Sequence, residues 1–397
     1  MKRAELKQWV LTTGRAEEHG GILFLCDPGW SAAEKSQVAE LQCRASEDGD
    51  GGNGETGWLC LPTGGTSGSI RFARHDEHTL SASLAGFCAH FGVAQVNALD
   101  VLPASHVSGL MARIRCAATG GEHVAWSWKQ LEAGEWPELA DKPDAWFISL
   151  VPTQLQRLLR SEAAVDRLRR FRAVFVGGGP FWPELAESAA AAGVPVVTAY
   201  GMTETGAMVV AQLPSDFAAG DRSCGRPMPH ARVEIVDDVS GEVLPQGATG
   251  LVRITGDSLF HGYWPERRPT QSVLTDDLGC FDAQGRLTIL GRRDAVIITG
   301  GKKVHPAEVE AALRSSGEFS DVAVVGVPDT DWGSVVVACH PRDAGTPDRR
   351  KVDSALAGLA AYKRPKKILG ISPWPVNAVG KLNRAALLAS ASAGINH

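Results

Sequence analysis

The sequence predicts an α/β chain with a large N-terminal domain, a β subdomain and a small C-terminal α+β domain. Three features carry that expectation. Short β-rich runs alternate with helical patterns from residue 58 onward, the mark of α/β units. Two apolar runs, Ala173-Val174-Phe175-Val176 and Val194-Pro195-Val196-Val197-Thr198-Ala199, end on Gly177-Gly178-Gly179-Pro180 and on Tyr200-Gly201-Met202-Thr203-Glu204. In open α/β sheets ligands collect at the carboxyl ends of strands, so these two ends together indicate a binding site. Past Gly291-Arg292-Arg293-Asp294 the pattern becomes compact α+β. The boundary is therefore placed at Asp294, giving domains 1–293 and 294–397.

Taken in order, residues 46–57 are polar and Gly-rich and read as a surface loop. Trp58-Leu59-Cys60-Leu61 is an apolar run leading into Pro62-Thr63-Gly64-Gly65-Thr66-Ser67-Gly68-Ser69-Ile70-Arg71. Glycines let that backbone turn several N–H groups toward one point, and hydroxyls and Arg71 add donors suited to phosphate oxygens. No Gly-Lys-Ser/Thr closes the run, so it is not a Walker A loop. It is expected between a strand and a helix, because Leu80, Leu84, Phe87, Cys88 and Phe91 recur at helical spacing just beyond it. Leu251-Val252-Arg253-Ile254 and Leu287-Thr288-Ile289-Leu290 read as strands of the β subdomain. After Asp294, a helix opens at Pro306 and stops near Gly317, followed by strands over 321–327 and 334–338.

Composition narrows the function classes. The 397 residues are 44% apolar and 21% charged, as in ordinary globular proteins. A net charge of −5 argues against a dedicated nucleic-acid binder. No apolar run reaches the length of a membrane span and no signal-peptide core follows Met1, so a cytoplasmic location is expected. The eight cysteines are scattered singly without a CxxC pair and read as reduced, buried thiols. His75 and His78 flank Asp76-Glu77 without a further ligand cluster, and are read as surface residues rather than a metal site.

The ordered series of motifs resembles the AMP-forming adenylating enzymes: acyl-CoA synthetases, luciferases and the adenylation domains of peptide synthetases. It runs from the loop at 62–71 through Pro103-Ala104-Ser105-His106-Val107-Ser108-Gly109, the two strand ends above, Thr275-Asp276-Asp277 and Gly291-Arg292-Arg293-Asp294. It closes with Gly300-Gly301-Lys302-Lys303-Val304 and Gly380-Lys381 with Arg384. The resemblance implies mixed sheets with flanking helices in the large domain, a mobile small domain that swings about Asp294, and ATP, Mg²⁺ and coenzyme A as reactants. It implies that Thr63, Gly64, Gly65, Thr66, Ser67, Gly68 and Arg71 hold phosphates. Gly178, Gly179, Pro180, Tyr200, Gly201 and Met202 would face the adenine and the nucleotide, with Asp277 and Arg292 on the ribose. Glu204 would hold Mg²⁺, Thr203 and His106 would join it in the catalytic centre, and Gly300, Gly301 and Lys302 would line the thiol channel. Lys381 would guide one anion, a carboxylate, onto another, the α-phosphate. A fixed cation at about 4 Å is worth on the order of 4 kcal/mol at an effective dielectric near 20, roughly three decades of rate.

Residues 149–159 and the loop variant at 62–73 look like those of o-succinylbenzoate–CoA ligases of menaquinone or phylloquinone synthesis. Such a substrate carries a second carboxylate on an aromatic ring, for which Ser108, Arg113 and Thr205 are acyl-pocket candidates. The same span also reads as an ordinary helix start with Leu155, Leu158 and Leu159 facing core. Departures from the family pattern are Gly64 in place of Ser or Thr, Ile70-Arg71 in place of Pro-Lys, Asp276 in place of glycine, and a short segment before the loop. Other readings stay open: another aryl- or acyl-CoA synthetase, a stand-alone adenylation domain serving a carrier protein, or an inactive nucleotide-binding relative. The early end after Lys381, with no carrier domain, favours coenzyme A. A small-molecule carboxylic acid is the expected partner beside ATP and coenzyme A, and a homodimer is left open.

Overall fold

A computed structural model describes residues 1–47, 56–64, 70–139, 146–179, 181–266, 271–376 and 382–395. The chain divides into two compact units. The first comprises Met1–Phe181, Leu185–Thr275 and Cys280–Thr288; the second comprises Trp182–Glu184, Asp276–Gly279 and Ile289–His397.

The first unit holds two sheets built by the early chain. β1 (Ala16–His19), β2 (Ile22–Leu25), β3 (Leu59–Gly64) and β4 (Ile70–His75) form a four-stranded sheet in that order, with β2 and β3 parallel and the outer pairs antiparallel. β3 and β4 pair in register, Thr63 opposite Arg71 and Gly64 opposite Ile70. The described ends of the run at 62–71 thus lie in two paired antiparallel strands, and it is a strand, not a helix as expected, that follows. Burial of Arg74 and His75 beside Phe72 hides the strand from a polarity reading. The short N-terminal segment closes this layer: Leu6, Val10, Leu23 and Leu25 are fully buried and pack with Trp58, Leu61 and Leu110.

The second sheet contains β5 (Asn97–Asp100), β6 (His123–Ala125), β7 (Trp146–Leu150), β8 (Ala173–Val176), β9 (Val196–Met202), β10 (Ala207–Ala211) and β11 (Arg226–Pro227), in the order β11-β10-β9-β8-β7-β5-β6. Its central strands are parallel, while β10 and β11 run antiparallel, so the sheet is mixed. Its core is phenylalanine-rich: Phe87, Phe91, Phe147 and Phe175 cluster, with the Phe147 and Phe175 rings stacked at 5.7 Å. Helix Glu77–Phe91 supplies two of these rings at helical spacing. Asp76 caps it by accepting from the N–H groups of His78 and Thr79, and Gly92 closes it at φ +61°.

β12 (Ala231–Val236), β13 (Gly250–Gly256), β14 (Val273–Phe281) and β15 (Leu287–Arg292) form a third sheet and carry the chain onward from the first unit. In the second unit, β16 (Ile297–Thr299) pairs with β17 (Lys302–Val304), and β18 (Ala323–Asp329), β19 (Gly333–Pro341) and β20 (Lys367–Ile371) form a sheet. Helix Pro306–Ser315 packs Val309 and Leu313 into that unit's core and ends before Gly317, as its sequence predicts. No described helix is long and apolar enough to cross a membrane. Helix Ala32–Glu47 runs into the stretch expected to be loop, so residues 46 and 47 are helical. The cysteines are less uniformly buried than expected: Cys60, Cys116 and Cys339 are buried, whereas Cys43 is exposed.

Candidate active site

β8 and β9 are adjacent and parallel, which sets Gly177 to Gly179 and Tyr200 side by side at the carboxyl ends of the central strands. A Cβ added at Gly177 would meet nothing within 4 Å, so this turn offers an open backbone face of the kind a flat ring can lie against. Tyr200 is half-buried and donates its hydroxyl to Thr275 Oγ1 at 3.4 Å. β9 continues through Gly201 and Met202 because it pairs with β10, whose Met208 lies opposite Gly201. A Cβ on Gly201 would sit 2.1 Å from the carbonyl oxygen of Ala207, so close strand approach dictates glycine there.

The β9–β10 connection is a single 3-10 turn, Thr203–Thr205, that presents Glu204. Glu204 is 8% exposed, and its Oε1 accepts from Tyr263 Oη at 2.7 Å and Thr63 Oγ1 at 3.3 Å. Its backbone is fixed as well: the Phe260 N–H donates to the Glu204 carbonyl at 2.9 Å. His75 lies 2.8 Å from the Thr203 carbonyl through Nε2 and 3.0 Å from Thr79 Oγ1 through Nδ1. A carbonyl can only accept, so Nε2 carries the hydrogen. Burial drives the His75 pKa down to about 4, against the opposing effect of that carbonyl. His75 is therefore a buried, neutral brace of the Glu204 turn and not the surface residue its polar neighbours suggest; His78 is exposed. Burial alone would raise the Asp76 carboxyl, but His261 and the N–H groups of Thr79 and Gly57 overcome it and hold the pKa at about 2. Among the described residues no cluster of three metal-ligating side chains forms. A lone carboxylate fits Mg²⁺, which takes one or two carboxylates and completes its octahedron with waters and phosphate oxygens.

His106 stands just before helix Val107–Thr119 with its Nε2 3.4 Å from Asp27 Oδ2. Ser108 is half-buried on the first turn of that helix. Arg113 faces away from Ser108, donating to Thr12 Oγ1 at 3.3 Å. Thr205 is fully buried, and its hydroxyl is committed to the backbone of Met202 and Ala207, which gives it a turn-holding role. Sequence reasoning missed Arg115. It is 5% exposed, lies 4.1 Å over the Phe87 ring, and has Nε and Nη2 buried without a hydrogen-bond partner. With Ala112 it lines a small cavity beside Phe87, Phe147, Ser149 and Phe175. Ser108, Ala112 and Arg115 stand at i, i+4 and i+7, hence on one helix face. That periodicity groups Arg115 with Ser108 and apart from Arg113, but which face turns inward is set by the packing around the helix.

In the second unit, Arg292 grips Asp294 with two hydrogen bonds of 2.8 and 2.7 Å and lies 3.8 Å from Asp277. The extra carboxylate of Asp276 is neutralised by Arg293 at 2.7 Å. Gly300 donates its N–H to the Trp332 carbonyl at 2.9 Å, with φ +53°, and Gly301 follows at φ +73°. Lys302 Nζ lies 4.7 Å from the centre of the Tyr362 ring. Gly65, Thr66, Ser67, Gly68, Pro180 and Lys381 lie outside the described residues.

A mixed sheet with a glycine turn and a tyrosine at adjacent strand ends, and a carboxylate turn held by Thr63 of the β3–β4 pair, defines a nucleotide-binding enzyme architecture. A profile described as "AMP-binding enzyme" matches residues 31–264 and one described as "AMP-binding enzyme C-terminal domain" matches 308–381. The chain belongs to the AMP-binding enzyme family. It is 31% identical to the 2-succinylbenzoate–CoA ligase of Enterococcus faecalis over 81% of this chain and 67% of that protein. It is 32% identical to the indoleacetate–CoA ligase of Aromatoleum aromaticum over 83% of this chain and 66% of that protein. The chain thus spans about two thirds of the length of these curated relatives. Its fold is similar to that of the Bacillus subtilis o-succinylbenzoate CoA synthetase in complex with its acyl-adenylate intermediate. That match has a TM-score of 0.73 and 28% identity, over 84% of this chain and 69% of the other. ATP-bound MatB from Rhodopseudomonas palustris matches with a TM-score of 0.75 and 25% identity, over 98% of this chain and 82% of that one.

Proposed function

We propose that this chain is an ATP-dependent, AMP-forming acid–CoA ligase acting on o-succinylbenzoate. In the first half-reaction a carboxylate oxygen bonds to the α-phosphorus of ATP as the bond to pyrophosphate breaks. In the second, the coenzyme A thiol attacks the acyl carbonyl and AMP leaves. Thr63, Gly64, Gly65, Thr66, Ser67, Gly68 and Arg71 bind the triphosphate, and Lys381 supplies the cation between two anions. Gly177 to Gly179 and Tyr200 flank the adenine, Asp277 and Arg292 take the ribose, and Gly300, Gly301 and Lys302 admit the thiol. Glu204 is the carboxylate for Mg²⁺, which when bound offsets phosphate charge. His106 and Thr203 complete the centre, and a turn about Asp294 exchanges the two halves.

The choice of acid rests on the likeness to 2-succinylbenzoate–CoA ligases, with Arg115 as the candidate partner of that acid's second carboxylate. Phe175 and Ser149 stand just ahead of the carboxyl ends of β8 and β7, beneath the glycine turn, and the cavity they share is lined by phenyl rings, by Asp100 and by a guanidinium with two unpaired nitrogens. At about 10 Å³ the cavity has room for no more than a water, so an aromatic ring bearing a second carboxylate reaches Arg115 only if Phe87, Phe147 and Phe175 move apart; a buried cation gains most from an ionised partner. An aryl acid without that group, such as indoleacetate, would leave Arg115 unpaired. A protein drawing on ATP and coenzyme A, with free thiols, fits the cytoplasm. The test is thioester formation from coenzyme A and ATP with o-succinylbenzoate, benzoate, indoleacetate and medium-chain fatty acids side by side. Preference for o-succinylbenzoate supports the assignment, preference for a monocarboxylate moves it to another aryl- or acyl-CoA synthetase, and no turnover with any acid points to an inactive relative.

A further inference from the structure

Tyr263 has no role in the reading above, yet it touches two of the groups that reading depends on. Its hydroxyl donates to Glu204 Oε1 at 2.7 Å, and the Arg71 guanidinium lies 4.1 Å from the centre of its ring. The segment bearing it is locked to β4. Tyr263 bridges to Ala73, the Trp264 N–H donates to Phe72 O at 2.8 Å, and the Phe260 ring meets Tyr263 edge-on at 4.8 Å. Phe260 also holds the Glu204 carbonyl from the other side.

We propose that Tyr263 is a positioning residue that sets the metal-side carboxylate of Glu204 and the phosphate-side cation of Arg71 at once. The inference rests on the ligase reading of this site. Both hydroxyl donors to Glu204, those of Tyr263 and Thr63, use Oε1, and among the described residues none reaches Oε2. The phenol therefore leaves one defined oxygen for a cation. The ring face, in turn, suits a planar guanidinium, which stacks where a compact ammonium would hold no plane. Arg71 and Tyr263 thus form a matched pair, and the stack fixes where the arginine points.

Calorimetric titration of ATP into the full chain, in EDTA and across a Mg²⁺ series, separates the two arms. Tyr263→Phe keeps the stack and loses the hydroxyl. It is expected to raise the Mg²⁺ concentration giving half-maximal ATP enhancement about tenfold, the scale of a lost hydrogen bond to a charged group, with ATP affinity in EDTA unchanged. Arg71→Met breaks the stack from the other side and should weaken ATP in EDTA while leaving the Mg²⁺ midpoint in place. Tyr263→Leu should show both losses; should it fail to fold, the first two variants carry the test. A wild-type Mg²⁺ midpoint in Tyr263→Phe overturns the role of Tyr263. If Glu204→Gln also leaves the midpoint unmoved, the metal role of Glu204 falls as well, which marks failure of the site reading and not of Tyr263 alone.

Discussion

Replacing Arg115 with methionine removes a cation and keeps an unbranched chain in the same space. Arg115 is 5% exposed with two guanidinium nitrogens unpaired, and a buried unsatisfied polar group costs about 1–3 kcal/mol. Loss of its contact over Phe87 at 4.1 Å forfeits about 0.5–2 kcal/mol, so the two effects offset and thermal stability should change little. Binding of a second carboxylate is another matter. A hydrogen bond between charged groups contributes about 1.5–3 kcal/mol, equivalent to roughly one to two decades in affinity. The assay is kcat/KM for o-succinylbenzoate and for benzoate in wild type and Arg115→Met. The ratio of the two should fall by that factor, with most of the loss confined to o-succinylbenzoate. An unchanged ratio in a folded variant refutes the assignment, whatever the absolute rates.

Lys381→Ala should block adenylate formation and pyrophosphate release yet leave thioester formation from supplied acyl-adenylate largely intact; equal loss of both halves counts against a swing about Asp294. Gly201→Ala should destabilise the large domain by about 1–3 kcal/mol or more, read as a lowered melting temperature, because its Cβ would sit 2.1 Å from a backbone oxygen that cannot move aside. Stability should decline as pH falls from about 6.5 toward 4. His75 and His230, both driven down to about 4 by burial, bind protons more readily unfolded than folded in that window, so their contribution is complete above it and lost on acidification. Urea midpoints across that range check the sign, and His75→Gln should flatten the slope.

Much of this architecture was legible because its signals are local. β8 with its glycine turn, helix Glu77–Phe91 and helix Pro306–Ser315 each carry periodicity, caps and stops within a few residues. The misreadings share one cause, which is that burial is decided at a distance. His75 looked solvated among charged neighbours, but its partner Thr203 is 128 residues away. The strand Ile70–His75 was hidden because Arg74 is buried with its guanidinium on the carbonyls of Gly57 and Thr56. Arg113 and Arg115 share a helix, and only the facing sheet and neighbouring helix decide which of them meets an internal cavity. Tyr263 could not be paired with Glu204 from sequence, since 59 residues separate them and no periodicity links the two.

The most direct test of the ligase assignment is a mass-spectrometric search for o-succinylbenzoyl-AMP after incubating the chain with ATP, Mg²⁺ and o-succinylbenzoate without coenzyme A. The adenylate should accumulate with stoichiometric pyrophosphate and be converted to thioester and AMP when coenzyme A is added. ATP that binds but yields no adenylate with this or any other carboxylic acid would contradict it.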